Sequence, residues 1–556
     1  MIELRRFAVE DGSDITTLVA GLEQRASFHR EPDQLLERTV FDTFDWRVHR
    51  DGGMLQLDRT VRARSSRAVP ESWLVWRSST TAEVRGRVAA DRVPSFVWDL
   101  PDTPTTRRLA AIVEMRALRP LVTIRSRRVT LRLTDAEGKT EARVVLDQAT
   151  VVGEAGAADR DLPPTVEVQP VRGYGRAADR ITGLLAAQVV LRPVERDVAE
   201  QALALAGLTP GDYSSKLRVR LDPDAPAIDA VTTVVRALVD TMAVNEPGTR
   251  ADTDSEFLHD YRVAVRRTRS VLGMAKGVVE PALLDHLRAE YKWLGDITTP
   301  TRDLDVYVLT YPEFEASLPP AIRPDLHPLR AFLVERQRRD HHQLVADLDS
   351  PRYATLMGEV RAWLDGASTE RPTADPSLAP EAAEATLTFA ASRIWKAYRG
   401  LVKDGRRINP DSAPEALHDL RKDAKKLRYA LECFGSVFPA GELAALVKEL
   451  KGVQDVLGEF QDCEVQKGSL RHFGEDLARQ EGPGAAPTLM AMGYLVEQLD
   501  ERERQARARF ADRFAAFDRH DNRAHFHRLF GPAGTAPPPH PLSVAPQEHS
   551  AMSVEP

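Results

Sequence analysis

Two short stretches carry phosphate-binding residue types in one and the same pattern. His259, Arg262, Arg266 and Arg269 stand in LHDYRVAVRRTRS, and His418, Arg421, Lys425 and Arg428 stand in LHDLRKDAKKLRY. Both follow H-x-x-R-x-x-x-[RK]-[RK]-x-R. On a helix that turns about 100° per residue, the four positions fall within an arc of about 80° and so share a face. Guanidinium presents a planar fork of donors that matches phosphate oxygens, and lysine adds a compact positive charge. Histidine supplies a neutral donor and acceptor, and becomes a further cation where a phosphate raises its pKa. Two such faces set opposite one another would form an elongated groove, better matched to a linear polyanion than to a single phosphate ester.

The two stretches belong to a repeat. At a constant offset of 159 residues, Leu258 to Val306 matches Leu417 to Val465 without a gap. Arg266 and Arg267 are replaced by Lys425 and Lys426, so charge is kept where residue type is not. Opposite the basic face lie Tyr261, Val265, Thr268, Val271 and Leu272 in the first copy, and Leu420, Ala424, Leu427, Ala430 and Leu431 in the second. That side packs and the basic side is left for an anion. A basic stripe on one helix is usually a solvated face; packing alone, however, gives no reason to duplicate a histidine and three cations opposite the apolar side. Lys292 and Lys451, on the next helix of each copy, are further candidates. Asp303 and Asp462 recur too, as do Asp296 and Asp455, and are expected to pair with and orient arginines rather than hold a metal. In RIWKAYRGL, helix packing accounts for Trp395 and Tyr398 as well as an extended basic surface would.

The elements that position these residues divide the chain. Up to about residue 220, short alternating runs such as SWLVWRS, LVTIRSRRVTLRL and ARVVLDQATVV predict an antiparallel sheet, with helical patches at Ile15 to Glu23, Thr106 to Met115 and Ala177 to Ala187. This half is expected to be α+β. From about Ala227 the period lengthens to three to four residues and the chain is expected to be all-α. The expected domains are 1–221 and 227–530, the latter made of repeat units 227–367 and 381–530, followed by a disordered Pro-rich tail, 531–556. DPDAP at Asp222 to Pro226 and the Pro-rich segment Ser368 to Pro380 mark the breaks.

A net charge of −7 argues against a general nucleic-acid binder, so any anion site must be a local concentration of Lys and Arg. Cys433 and Cys463 form neither a disulfide framework nor a metal motif. The N-terminal residues lack a signal-peptide core and no apolar run is long enough to span a bilayer. The expectation is a cytoplasmic protein with no membrane partner.

The repeat resembles the CHAD domain, the conserved histidine alpha-helical domain. The likeness covers about residues 225–530 and rests on LHDYRVAVRRTRS, WLGDITTPTRDLDVY, LHDLRKDAKKLRYALECF and LKGVQDVLGEFQDCEV in that order. It implies two helical bundles related by a pseudo-twofold axis, with a basic cavity or surface that binds inorganic polyphosphate. The residues it nominates are the eight above, with Lys292 and Lys451 behind them, and no cofactor is needed for binding. Polyphosphate granules are where such a protein would gather.

Residues 1 to about 220 resemble a CYTH domain, the triphosphate tunnel fold, through RRFAV, TVFDTFDWRVHRDGGMLQL, LRPLVTIRSRRVTLRLTDAEGK and YSSKLRVRL. The family fold is a tunnel of antiparallel strands whose cations hold a triphosphate and whose glutamates hold a divalent metal. This sequence departs from that pattern. The opening E-x-E-x-K aligns with Ile2, Leu4 and Arg6; a one-residue shift brings in Glu3 alone. W-x-L-K reads Trp73, Leu74, Val75, Trp76, and a later E-x-E reads Glu167, Val168, Gln169. Arg125, Arg127, Arg132 and Lys216 are the retained cations. Without paired carboxylates, Mg²⁺ or Mn²⁺ loses its hard oxygen ligands. The expected function is therefore polyphosphate binding with no catalytic residues and a degenerate tunnel. The alternative is a metal-dependent triphosphatase acting on tripolyphosphate or nucleoside triphosphates, using Mg²⁺ or Mn²⁺. A third reading, RNA binding or protein scaffolding on the same faces, lacks the aromatic stacking platforms of single-strand binders.

Overall fold

A computed structural model describes residues 5–9, 15–61, 72–80, 83–135, 137–153, 157–171, 174–187, 191–194, 196–369 and 377–532. Ile2, Glu3, Leu4 and almost all of the Pro-rich tail lie outside them. The chain divides into two compact units, 1–215 and 216–556.

The first unit is built on antiparallel strands β1 (Arg5–Val9), β2 (Phe28–Arg30), β3 (Gln34–Asp42), β4 (Gly53–Thr60), β5 (Ser72–Ser78), β6 (Val84–Ala89), β7 (Arg119–Thr134), β8 (Thr140–Val151), β9 (Arg160–Asp161), β10 (Thr165–Pro170) and β11 (Leu191–Pro193). Their order is β11-β1-β10-β8-β7-β3-β4-β5-β6, with β2 beside β7 and β9 beside β8. Helices α1 (Ile15–Glu23), α2 (Arg47–Arg50), α3 (Pro104–Val113), α4 (Gly175–Ala186) and α5 (Val198–Leu205) complete the unit. The alternation along β7 sets its two faces. Val129, Leu131 and Leu133 pack with Ile15, Leu18 and Leu22 of α1 and Ile181 and Leu185 of α4. On the opposite face, earlier along the strand, Val122 and Ile124 pack with Val198 and Ala202 of α5, and Ser126 and Arg128 continue that face into a polar interior.

The second unit runs twice through the same five helices. α6 (Ala227–Arg250), α7 (Ser255–Met274), α8 (Pro281–Ser317), α9 (His327–Leu348) and α10 (Pro351–Thr369) are followed by α11 (Thr386–Gly405), α12 (Pro414–Phe434), α13 (Ala440–Glu481), α14 (Ala486–Phe517) and α15 (His520–Phe530). The starts of α6, α8 and α9 precede those of α11, α13 and α14 by 159 residues, so the repeat extends beyond the stretch legible in the sequence. Its symmetry is visible in two reciprocal bonds. The Ala227 amide donates to the Glu384 carbonyl at 2.8 Å, and the Thr386 amide donates to the Ala225 carbonyl at 2.8 Å. Shifted by the repeat offset, each bond becomes the other, and Pro226 and Ala385 bridge between them. A pseudo-twofold axis therefore passes between the starts of α6 and α11.

The two copies share one core, in which Tyr261, Leu272 and Tyr291 of the first meet Phe389, Leu431 and Phe460 of the second. Leu217, Val219 and Leu221 pack against that core, so the segment just before DPDAP belongs to the helical unit. A smaller cluster joins Tyr307 and Phe314 of α8 to Phe473 of α13 and Leu495 of α14. No helix among the described residues is long and apolar enough to cross a membrane.

Candidate functional site

α7 starts where the Asp254 carboxylate accepts from the amides of Glu256 and Phe257, satisfying donors that the first helical turn leaves open. α12 starts on Pro414, whose missing N–H costs nothing at that position. Both then bury the apolar faces read from the sequence. Tyr261, Thr268 and Leu272, like Ala424, Leu427 and Leu431, are fully buried. The opposite faces carry the cations to the surface at the meeting of α7 and α12. There the Arg267 guanidinium bonds the Glu432 carboxylate at 2.8 Å, a link from one copy to the other.

The cations of the two copies are close enough to perturb one another. Burial, with Arg421 and Arg266 beside it, lowers the Lys425 ammonium to about 8. Burial next to Arg266 lowers Arg262 to about 10. Burial also lowers Arg302, which feels Arg266 as well. Lys425 and Arg266 come from different copies, so the two basic faces form one cluster. The Nε atoms of Arg266 and Arg421 are buried with no acceptor among the described residues. Among the described residues, Arg266, Arg269 and Lys425 have no ion pair, a state that a polyanion would relieve.

The copies differ in what holds their cations. In the first, Arg262 donates to neutral groups: Thr298 Oγ1 and Thr299 Oγ1 at 2.9 Å and the Gly295 carbonyl at 3.3 Å. Arg269 lies against the bare backbone of Gly295, where a Cβ would sit 2.9 Å from its Nη1. In the second copy, Arg421 pairs with Asp462 at 3.0 Å and Arg428 with Glu432 at 2.7 Å. Arg428 also reaches Gln454, the repeat mate of Gly295, at 3.3 Å. Glu432 has Gly273 as its mate, so the first copy lacks this carboxylate. The copies thus differ in direct contacts: Arg421 and Arg428 each bond a carboxylate, whereas among the described residues Arg262 and Arg269 form no ion pair.

His259 and His418 occupy the start of each basic face and are half-buried. His418 Nδ1 bonds Gln461 Oε1, which fixes its ring. Arg302, absent from the sequence reading, is the mate of Gln461; repeat matching passed over it because only one copy is charged there. Lys292 and Lys451 are exposed on α8 and α13, and among the described residues neither makes an ion pair or hydrogen bond. Asp462 braces an arginine as expected. Tyr398 is fully buried, stacked on Phe526, which leaves it to packing.

The sheet unit has its own charged interior. A cavity of about 110 Å³ is lined by Arg6, Arg38, Arg77 and Arg128 with Asp147, Glu167 and Asp197. Arg38, 3% exposed, bonds Asp147 at 2.8 Å and Ser126 at 2.8 Å. Arg128 reaches Asp147 at 3.3 Å, Arg6 bonds Glu167 at 3.1 Å, and Arg77 lies 3.7 Å from Asp58. Glu167 also accepts from Gln169. Asp147 and Glu167 are taken up by guanidinium groups, Asp197 caps α5 by accepting from the Glu200 amide at 2.8 Å, and no group of three or more His, Cys, Asp or Glu residues that could hold a metal occurs among the described residues. These residues do not fit a divalent ion. Small-molecule clefts are typically about 300–1,000 Å³, well above this volume.

The cations nominated from the sequence sit elsewhere. Arg125 is exposed near Asp159 at 3.3 Å, and Arg127 is held by Asp33 at 2.9 Å on the face that meets α1. Arg132 pairs with Glu31 at 3.1 Å, and Lys216 opens the helical unit. Strand parity sets Arg125 and Arg127 on the face that meets α1, whereas Arg128 shares the inner face with Ser126. Trp76 packs with Leu55, Leu57 and Leu74 in an apolar cluster on one face of β5, and the neighbouring Arg77 lines the cavity from the other face, so the tunnel cation expected at position 76 stands one residue further on.

The fold and cluster define a duplicated helical protein with a shared cationic face. Residues 233–471 match the family model of the CHAD domain, so the helical unit contains a CHAD domain. An uncharacterized protein of Mycobacterium tuberculosis (strain ATCC 25618 / H37Rv) is 26% identical over 549 residues, 90% of this chain and 97% of its own. The CHAD domain from the plant Ricinus communis is 28% identical and covers 57% of this chain and 98% of its own, with a TM-score of 0.44. HpAC1 from Hippeastrum, reported with a dominant triphosphatase activity, is 15% identical and covers 38% of this chain and 100% of its own, with a TM-score of 0.27.

Proposed function

We propose that the helical unit binds inorganic polyphosphate at the cluster formed by α7 and α12, and that the sheet unit is a tunnel-like domain without triphosphatase activity. The observation that carries the reading is the meeting of Arg266 and Lys425, from different copies, with no carboxylate paired to either among the described residues. A linear polyanion fits better than a single phosphate because His259 to Arg269 extends along about 15 Å of helix at 1.5 Å per residue. The charge-assisted bonds offered there are those that guanidinium groups make with phosphate oxygens. No metal is required, since the cations themselves neutralise the ligand. In the sheet unit Asp147 and Glu167 are bonded to arginines, which supports a structural role for that interior.

The test is competition against labelled long-chain polyphosphate by tripolyphosphate, orthophosphate and single-stranded RNA. Displacement should improve steeply with phosphate chain length, with RNA weak at equal charge. Equal competition by orthophosphate, or stronger competition by RNA, contradicts the assignment.

A further inference from the structure

Lys425 differs from its neighbours in one chemical respect. On the same helix, Lys422 is tied to Asp419 at 3.0 Å and Lys426 to Asp423 at 2.8 Å. Lys425 is half-buried, and its Nζ has no hydrogen bond or ion pair among the described residues. The charged groups around it are Arg421 on its own helix, Arg266 on α7 and Asp462 on α13, and Asp462 is bonded to Arg421. A primary amine thus sits beside two guanidinium groups placed to bind phosphate.

We infer that Lys425 is a site of covalent acylation by small acyl phosphates, held through their phosphate by Arg266 and Arg421. The inference rests on the phosphate-binding reading of this cluster. The unprotonated Nζ attacks the carbonyl carbon, an amide N–C bond forms, and the carbonyl carbon–oxygen bond to phosphate breaks. Inorganic phosphate departs with that bond's electron pair, the amine proton passes to solvent, and nothing is oxidised or reduced. Desolvation beside other cations is an established way to activate a lysine. With its ammonium near 8, Lys425 near neutral pH presents roughly two hundred times the free-amine fraction of an ordinary lysine of pKa about 10.4. Lower basicity offsets part of this gain. Acylation removes one cation from the meeting point of the two copies and so would tune polyanion affinity.

The experiment treats the full chain with acetyl phosphate near neutral pH and follows each lysine by mass spectrometry at low conversion. Lys425 should be acetylated at least about tenfold faster than Lys422, Lys426, Lys292 and Lys451. Saturating polyphosphate should suppress that site, and Arg266→Gln should reduce its lead. An acetyl N-hydroxysuccinimide ester, which carries no phosphate, should show a smaller preference. The inference is overturned if Lys425 reacts no faster than the exposed lysines, or if both donors favour it equally. Polyphosphate affinity measured on the same untreated protein separates the two claims. Intact affinity without selective acetylation removes this inference alone, whereas selective acetylation without polyphosphate binding or protection removes the proposed function.

Discussion

Replacing Arg266 and Arg428 separately by alanine tests the asymmetry between the copies. Both are arginines of the duplicated pattern, Arg266 the repeat mate of Lys425 and Arg428 that of Arg269, so a groove to which the pattern arginines contribute alike would lose similar affinity from either. In the structure Arg428 already bonds Glu432, which it shares with Arg267, at 2.7 Å and also bonds Gln454, while among the described residues Arg266 has neither ion pair nor acceptor for its buried Nε. A full charge-assisted bond to phosphate is worth about 1.5–3 kcal/mol, so Arg266→Ala should weaken binding by roughly 10- to 150-fold. Arg428 must give up part of its pairing to meet the ligand. Its removal should cost on the order of 0–1 kcal/mol, less than about sixfold. Fluorescence anisotropy with end-labelled polyphosphate, at fixed ionic strength and with circular dichroism as a fold control, reads both values. Equal losses, or a larger loss at Arg428, would refute the reasoning.

Further outcomes follow from the same geometry. Polyphosphate affinity should fall as pH rises through about 8, because free Lys425 loses its proton there while a bound phosphate retains it; binding then takes up a proton, and Lys425→Arg should flatten the profile measured by titration calorimetry. Asp147→Ala leaves buried Arg38 without its ion-pair partner and should destabilise the sheet unit by about 3–5 kcal/mol, seen as an earlier loss of β signal on heating with the helical signal unchanged. With Mg²⁺ or Mn²⁺, phosphate release from tripolyphosphate should stay at background, and Glu167→Gln should leave it there; robust turnover abolished by that substitution would restore the triphosphatase reading.

Much of the helical unit was legible in the sequence because duplication supplies an internal comparison. His259 and His418, the basic faces and the apolar faces behind them all follow from spacing, and the fold places them as expected. The differences between copies were harder to read. Gly273 against Glu432 and Arg302 against Gln461 are visible in the alignment, but whether a carboxylate reaches a particular guanidinium depends on the approach of α7 and α12. In the sheet unit, RSRR places cations on both faces of β7, and only its register with β8, which sets Arg128 against Asp147, shows which one points inward. Arg38, the partner that closes that buried network, lies 109 residues from Asp147 and carries no local signature.

The central claim is that the two copies act as one site through Arg266 and Lys425. Equilibrium binding of labelled long-chain polyphosphate to the full chain, wild type against Arg266→Glu with Lys425→Glu, tests it most directly. The account predicts tight, salt-sensitive binding by the wild type and, in the double variant, a loss of at least about a hundredfold with a shallower salt dependence. Unchanged affinity and salt slope in a correctly folded double variant would contradict it.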